Sequence, residues 1–212
     1  MRTVQAASAR HRKHSLLCLI SVSQMSTKLH PWRVRELARD LLAGKIVAYP
    51  TEAVWGLGCD YRNQAAVERL LALKSRPVDK GLILATGQIE QVEPLLALLP
   101  EEQAAKARSV WPGPYTCVIP DPEQQIPEWI RGEHDSVAIR VSRHPLIGQL
   151  SQALGMPLVS TSCNPAGRPP ARTAWQVARY FGQEVDVISG GDTGGARAPS
   201  TIIDVRSGKQ LR

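Results

Sequence analysis

Two polar clusters in the sequence have the residue types of a phosphate-binding site. Three cations, Lys74, Arg76 and Lys80, lie within seven residues just after an apolar helical segment. Three hydroxyls and an amide lie within residues 160–164, just after an apolar strand-like segment. Cations neutralise an anion, and small polar residues let backbone N–H groups approach it closely. Together the two clusters predict an enzyme site for a phosphorylated ligand such as a triphosphate.

Each cluster also has a simpler interpretation. Cations at a helix C-terminus complement the helix dipole, and a segment rich in Ser, Thr and Asn after a strand is often a polar turn. The dipole does not account for cations that continue as far as Lys80, immediately before an apolar strand. Ser162 lacks the GxSxG surroundings of a hydrolase nucleophile. We expect Cys163 to be a small packing residue.

Further candidate ligand-binding residues lie outside these clusters. Thr51, Glu52 and Trp55 follow the first predicted strand, where they suit either a small polar ligand or a turn packed on the core. Arg140 interrupts an apolar alternation, which places it either in solvent or at a cleft where it would clamp a carboxylate. The glycine-rich segment 190–195 matches neither common nucleotide-binding motif, so we expect a flexible loop there.

The charge distribution argues against a nucleic-acid-binding fold. The chain has 212 residues and a net charge of +7, and 43% of its residues are hydrophobic, as in a soluble single-domain protein. Seven cations precede the first acidic residue, Glu36. Removing these seven from the 26 Lys and Arg residues leaves 19, which equals the 19 Asp and Glu residues. The excess charge therefore belongs to the N-terminal segment and not to the folded body.

Cysteine, histidine and apolar patterns exclude several classes of protein. The four cysteines form no CxxC pair and the five histidines form no HExxH motif, so we expect no metal site built by protein side chains. No apolar run approaches the length of a membrane span, and we expect a cytoplasmic protein. We interpret residues 1–24 as an upstream extension, although a signal or transit peptide is the alternative. Residues 25–212 would then form the domain.

Alternating helical and strand-like segments predict an α/β domain. Predicted helices cover Trp32–Leu42, Gln64–Lys74, Ile89–Leu99, Glu101–Val110, Leu146–Leu154 and Thr173–Phe181. Predicted strands cover Lys45–Tyr49, Gly81–Ala85, Tyr115–Ile119, Ser136–Val141, Pro157–Ser160, Val185–Ile188 and Thr201–Val205, and Pro50–Asp60 is expected to be a loop. Because two predicted helices follow each other after residue 86, we expect a mixed sheet and not a strictly parallel one.

The sequence resembles the YrdC/TsaC family of threonylcarbamoyl-AMP synthases from Leu29 onward. Six motifs occur in the family order: 49–60 (YPTEAVWGLGCD), 73–77 (LKSRP), 111–114 (WPGP), 137–141 (VAIRV), 160–164 (STSCN) and 199–204 (PSTIID). The resemblance implies a single domain with a twisted mixed β-sheet, flanking helices and a concave basic cleft. It implies that L-threonine, bicarbonate and ATP with Mg²⁺ give threonylcarbamoyl-AMP and pyrophosphate. Partner proteins would then transfer the threonylcarbamoyl group to tRNA.

The same resemblance assigns roles to particular residues. The KxR…SxN tetrad of the family falls on Lys74, Arg76, Ser162 and Asn164, which would bind ATP, with Lys74 and Arg76 stabilising charge during the reaction. Ser200 matches a position associated with adenylate binding. Thr51 and Arg140 match positions associated with threonine, and we assign Arg140 to the threonine carboxylate.

The chain departs from the family pattern at Cys163, where alanine is usual, and at Ala166, where a serine is often found.

Two alternatives differ in kind from this interpretation. One is a non-catalytic RNA-binding or ribosome-assembly factor, for which tRNA or double-stranded RNA would be the ligand. The neutral body and the absence of an aromatic RNA-binding motif argue against it. The other is a different ATP-dependent enzyme that activates a carboxylate or carbamate on the same scaffold. Pyrophosphate release that depends on an amino acid separates these cases.

Overall fold

A computed structural model of the chain describes residues 28–211, so the interpretation of residues 1–24 as an extension lies outside the described residues. The helices are α1 (Pro31–Leu42), α2 (Gln64–Lys74), α3 (Glu93–Leu96), α4 (Glu101–Val110), α5 (Glu128–Arg131), α6 (Pro145–Leu154) and α7 (Ala174–Phe181). Two 3₁₀ turns cover Val78–Lys80 and Ile89–Gln91. In this part of the chain, no helix is long and apolar enough to cross a bilayer.

Capping residues explain where several of these helices begin and end. The Asn63 side chain accepts a hydrogen bond of 3.1 Å from the N–H of Ala66 at the start of α2. Thr173 accepts one of 3.2 Å from the N–H of Gln176 at the start of α7. Such side chains satisfy N–H groups that the first turn of a helix leaves without a partner. Gly155 ends α6 in the left-handed conformation, with φ at 69°. The three predicted caps are confirmed.

The strands form two mixed sheets. They are β1 (Val47–Pro50), β2 (Trp55–Gly58), β3 (Ile83–Thr86), β4 (Tyr115–Pro120), β5 (Ser136–Val141), β6 (Leu158–Val159), β7 (Thr161–Ser162), β8 (Val187–Ile188) and β9 (Thr201–Asp204). One sheet has the order β7-β2-β1-β8 and the other β6-β3-β5-β4-β9. The β1/β8, β3/β5 and β4/β9 pairs are parallel, and the others are antiparallel. The mixed α/β class is confirmed, with the strands divided between two sheets instead of one.

The chain passes from one sheet to the other at Ser160. Val159 in β6 pairs with β3 of the second sheet, and Thr161 in β7 pairs with β2 of the first sheet. Between them, the backbone N–H of Ser160 donates to the carbonyl of Ile83 at 2.8 Å. We call residues 158–162 the seam, because this short segment belongs to both sheets.

The hydrophobic core joins the two sheets to the helices. The larger cluster of buried residues contains Trp55 and Leu84, one from each sheet, with side chains from α2 and α4. A second cluster packs α1 and α6 against Val47 and Tyr49 of β1. Because successive strand residues point to opposite faces, Ala48 of β1 belongs to the larger cluster instead. Strand β1 is therefore buried on both faces and fixes the turn that follows it.

Two predicted elements were wrong. The predicted loop 50–60 contains strand β2, whose Gly56 and Gly58 look like turn residues but serve close approaches of neighbouring strands. The predicted helix 89–99 divides into a 3₁₀ turn and the short α3. Pro94 explains that division, because it lacks an N–H donor and its ring clashes with the carbonyl four residues earlier.

Gly58 provides a test of the packing between the seam and β2. A Cβ atom at Gly58 would lie 2.5 Å from the carbonyl oxygen of Val159 and 2.7 Å from the ring of Tyr49. We expect Gly58→Ala to lower the free energy of unfolding by about 1–3 kcal/mol in chemical denaturation, because the seam has to shift. Gly148→Ala in α6 is the control, since its Cβ would meet no atom within 4 Å. Equal stability of the two variants would contradict this account of the seam.

Candidate active site

A cavity of about 470 Å³ lies beside the seam. Its volume is within the range of roughly 300–1,000 Å³ that is usual for small-molecule sites. Residues of β2, β3, β4, β5, β7 and β9 line it, together with the turn between β1 and β2. Of the seven residues that the family resemblance assigns to the site, five are in the lining: Thr51, Arg76, Arg140, Ser162 and Ser200. Strands from both sheets therefore bring distant parts of the chain to one site.

The charge of the lining favours an anionic ligand. Arg76, Lys80, Arg131 and Arg140 line the cavity, together with His134. Among the described residues, no aspartate or glutamate is in the lining. A cavity lined by several cations attracts phosphate or carboxylate groups.

Lys74 lies behind the lining and holds the second polar cluster in place. It is the last residue of α2 and is 6% exposed. Its ammonium group donates hydrogen bonds to the backbone carbonyl of Ser162 and, at 2.9 Å, to that of Asn164. Burial, together with a smaller effect of the nearby Arg76, lowers the pKa of Lys74 to about 8. The lysine is thus charged at neutral pH and loses its proton in mildly alkaline solution.

Arg76 lines the cavity and also braces the turn that follows α2. Ser75 adopts the left-handed conformation, with φ at 50°, so the chain turns sharply between Lys74 and Arg76. The Arg76 guanidinium donates to the carbonyl of Lys80 at 3.2 Å and to that of Gly81 at 2.8 Å. Burial lowers the pKa of Arg76, which nevertheless remains a cation at any physiological pH. The arginine therefore presents a fixed positive charge to the cavity.

Ser162 and Asn164 occupy different positions in the second cluster. Ser162 is the last residue of β7 and is exposed in the cavity wall. The amide of Asn164 donates to the carbonyls of Pro165 at 3.0 Å and Arg168 at 2.8 Å, while its Oδ1 atom is buried without a hydrogen-bond partner. Asn164 therefore shapes the loop after β7 and is not in the cavity lining.

The remaining hydroxyl candidates are buried at the cavity wall. Thr51 is 8% exposed, and its Oγ1 atom donates to the carbonyl of Val54 at 2.7 Å, which closes the turn between β1 and β2. Ser200 is 7% exposed, and its hydroxyl lies 2.8 Å from the hydroxyl of Thr116. Both side chains have ordered positions beside the space that a ligand would occupy.

Arg140 projects into the cavity and makes an ion pair that sequence analysis did not predict. Its side chain is 14% exposed and lies 2.7 Å from Oε1 of Glu52. The alternation in β5 places Arg140 on the less apolar face of the strand, as predicted. This face forms part of the cavity wall and does not face bulk solvent. Glu52 was noted in the sequence without a partner. The one available signal was its position directly after β1 and next to Thr51.

Two further expectations concern neighbouring segments. Cys163 is fully buried, and burial raises the pKa of its thiol to about 12, which confirms it as a packing residue and not a nucleophile. The loop 190–196 contacts the site through its backbone: the N–H of Gly194 donates to the carbonyl of Thr51 at 3.0 Å, and that of Ala196 to Glu52 at 2.8 Å. Within residues 28–211, no group of three or more Asp, Glu, His and Cys residues is arranged to hold a metal ion.

The chain is similar to proteins of one family over most of its length. A model of the Sua5/YciO/YrdC family, described as telomere recombination, matches residues 39–212. The threonylcarbamoyl-AMP synthase of Marinobacter nauticus is 58% identical over 177 residues, covering 83% of this chain and 93% of that protein. The protein of the same name from Pseudomonas entomophila is 51% identical over 181 residues, covering 85% of this chain and 97% of that protein.

Solved structures agree with this match. Sua5 from P. abyssi in complex with L-threonine has a TM-score of 0.75 and 36% identity, and the match covers 84% of this chain and 52% of that chain. This chain therefore spans about half the length of that protein. YciO from E. coli has a TM-score of 0.72 with 22% identity, covering 84% of this chain and 85% of that one, which is a likeness of fold. The chain belongs to the Sua5/YciO/YrdC family.

Proposed function

We propose that this chain is a threonylcarbamoyl-AMP synthase, which forms threonylcarbamoyl-AMP and pyrophosphate from L-threonine, bicarbonate and ATP. Relatives that are 51–58% identical carry this name, which supports the proposal. The structural observation that carries it is the meeting of five residues, distant in sequence, in the wall of one cavity: Thr51, Arg76, Arg140, Ser162 and Ser200. These five residues supply two guanidinium groups and three hydroxyls, which suit the phosphates of a nucleotide and the carboxylate of an amino acid.

The triphosphate of ATP binds near the junction of α2 and the seam. Arg76 supplies a fixed positive charge and a planar group with several N–H donors, which suits phosphate oxygens. Ser162 offers a hydroxyl from the cavity wall. Lys74 is not in the cavity lining. Its ammonium group donates hydrogen bonds to the carbonyls of Ser162 and Asn164 and so holds the loop that carries them. These contacts would stabilise the charge that develops on the α-phosphate and on the departing pyrophosphate.

The amino acid binds at Arg140, a second cation of the cavity lining. Arg140 is the cation assigned to the threonine carboxylate, because a guanidinium binds a carboxylate through two parallel hydrogen bonds. Thr51, which lines the same cavity, is assigned to threonine as well, while Ser200 is assigned to the adenylate. The relative from P. abyssi has been solved with L-threonine bound, which supports an amino-acid ligand for this fold.

The reaction proceeds in two bond-forming steps. Bicarbonate loses hydroxide to give CO₂, and the threonine amine attacks the carbon of CO₂, so that a C–N bond forms as one C–O π bond opens. The proton that the amine loses combines with the hydroxide to give water and leaves a carbamate. A carbamate oxygen then attacks the α-phosphorus of ATP, and the bond from this phosphorus to the bridging oxygen breaks to release pyrophosphate. Positioning and charge stabilisation account for most of the catalysis, which fits a cavity wall that presents cations and hydroxyls.

Mg²⁺ enters as part of the ATP substrate. Protein sites for Mg²⁺ usually include carboxylates, and none is in the cavity lining among the described residues. The side chains present therefore do not form a Mg²⁺ site of their own, and the phosphates would hold the ion.

The product requires a further reaction. A threonylcarbamoyl-AMP is a mixed anhydride, so it serves as a donor, and partner proteins would transfer its acyl group to an adenosine of tRNA in the cytoplasm. The competing interpretation, a non-catalytic RNA-binding or ribosome-assembly factor, is not favoured by relatives that carry an enzyme name. A direct contact with tRNA or double-stranded RNA is compatible with either interpretation.

The activity is tested by incubating the protein with ATP, Mg²⁺ and bicarbonate, with and without L-threonine. We expect threonine-dependent pyrophosphate release and a product with the mass of threonylcarbamoyl-AMP. Arg76→Ala should lower the rate about a hundredfold or more, because a charge-assisted contact to the transition state is lost. Arg35→Ala on the exposed face of α1 is the control. An unchanged rate in Arg76→Ala contradicts the assigned site, and no pyrophosphate release contradicts the function.

Lys74 predicts a particular dependence on pH. Since its pKa is about 8 in the free protein, the ammonium form dominates at pH 7 and the neutral amine at pH 9. We expect kcat/KM for ATP, which reports the free enzyme, to fall as the pH rises through about 8. Lys74→Arg keeps a charge over this range and should lose the fall. A flat wild-type profile between pH 7 and 9.5, or a fall that persists in Lys74→Arg, would contradict this role.

A further inference from the structure

Glu52 is a carboxylate at the cavity that the proposed reaction leaves without a role. It lies in the turn between β1 and β2, one residue after Thr51. Its side chain is 18% exposed, and its Oε1 atom forms the ion pair of 2.7 Å with Arg140. A carboxylate beside an arginine weakens the attraction of that arginine for an anionic ligand. The position of Glu52 therefore calls for a physical explanation.

The contacts of the Glu52 side chain are made with Arg140 of β5 and with Ser142, directly after that strand. The hydroxyl of Ser142 donates to Oε1 at 2.7 Å and accepts a hydrogen bond of 3.0 Å from the backbone N–H of His144. Oε1 therefore has two defined donors, one from the Arg140 guanidinium and one from Ser142. These two donors lie on β5 and on the segment directly after it, so the carboxylate is held against the end of that strand.

The backbone of Glu52 is held equally firmly. Its carbonyl accepts the N–H of Ala196 at 2.8 Å, and the preceding carbonyl of Thr51 accepts the N–H of Gly194 at 3.0 Å. A Cβ atom on Gly194 would lie 3.2 Å from the Cα of Glu52, so the loop 190–196 packs closely on this residue. The carboxylate thus stands on a turn that is fixed by a strand on one side and by a loop on the other.

The contact with Glu52 is able to fix the orientation of the Arg140 guanidinium group. A guanidinium presents five N–H donors in one rigid plane, so fixing one nitrogen also fixes the directions of the others. The ion pair with Oε1 uses one terminal nitrogen of Arg140. The Oε2 atom of Glu52 is buried and has no hydrogen-bond partner. The carboxylate therefore acts on Arg140 mainly through one directed contact and its charge.

We propose that Glu52 is a positioning residue that holds the Arg140 guanidinium in the orientation that receives the carboxylate of the amino-acid substrate. This inference rests on the proposed function, because it takes Arg140 as the group that binds threonine. Glu52 itself does not contact the substrate and exchanges no proton with it. Its effect reaches the ligand through Arg140 alone, and it is specific for ligands that carry a carboxylate.

The test compares ligands that differ at the carboxylate only. L-Threoninol has the amine and side chain of L-threonine but carries an alcohol in place of the carboxylate. We expect Glu52→Gln to weaken L-threonine binding about tenfold or more, as expected when a fixed charge contact is lost. Binding of L-threoninol and the KM for ATP should change by less than about twofold, since neither involves the carboxylate contact. Ligand-observed NMR measures the dissociation constants of L-threonine and L-threoninol, and steady-state kinetics gives the KM values for L-threonine and for ATP.

Two further variants keep the test decisive. Ser142→Ala removes one donor to Oε1 but keeps the charge, so it should shift threonine binding in the same direction by a smaller factor. It also tests the proposal if Glu52→Gln does not fold. Glu36→Gln is the matched control, because Glu36 makes a half-buried ion pair of 2.8 Å with Arg33 within α1 and is not in the cavity lining. It should change none of the binding constants.

The outcomes separate this inference from the proposed function. Arg140→Lys is measured in parallel, and it should also weaken threonine binding. If Arg140→Lys weakens threonine and Glu52→Gln does not, the role of Glu52 is wrong while the assignment of Arg140 stands. If neither variant affects threonine, both roles are wrong. If Glu52→Gln weakens threonine, threoninol and ATP together, Glu52 is a structural residue and the inference is overturned.

Discussion

The ammonium group of Lys74 holds together two parts of the chain that are 88 residues apart. Its hydrogen bonds to the carbonyls of Ser162 and Asn164 fix the loop after β7 against the end of α2. Burying a cation in this way is unfavourable, which is why burial lowers the pKa of Lys74 to about 8. The carbonyl oxygens offset part of that cost. A bound triphosphate would offset more, because it brings negative charge to the same region.

Much of the fold could be predicted because local signals agree with tertiary structure. Helix α2 begins after Asn63, and α7 begins after Thr173, where a polar side chain satisfies the first turn. Strand β5 has the predicted bounds because its apolar residues alternate. The division into two sheets could not be predicted, because it depends on which partners the seam residues find. Strand β2 was missed for the same reason, since Gly58 is required by the approach of Val159, which is 101 residues away in sequence.

The site was predictable to the extent that its residues have distinctive types. The cations after α2 and the hydroxyl cluster after β6 were recognised together, and the structure joins them through Lys74. The position of Asn164 outside the cavity lining could not be read from the sequence, because both of its amide contacts are made within its own loop. Glu52 was noted as a candidate, but its partner was not predicted, because an ion pair across 88 residues leaves no local pattern. A carboxylate after a strand looks the same whether it faces water or an arginine.

The seam has a mechanical consequence for how substrates enter and leave. Residues 158–162 are hydrogen-bonded into both sheets, so the sheets cannot move apart there while these hydrogen bonds remain. An opening motion along this line would break backbone hydrogen bonds in β6 and β7 at once. The turn 77–81, of which Lys80 and Gly81 line the cavity, lies outside the seam, so a movement of this turn would leave the seam hydrogen bonds intact. The two sheets therefore act as one frame for the cavity, because the seam ties them together at its wall.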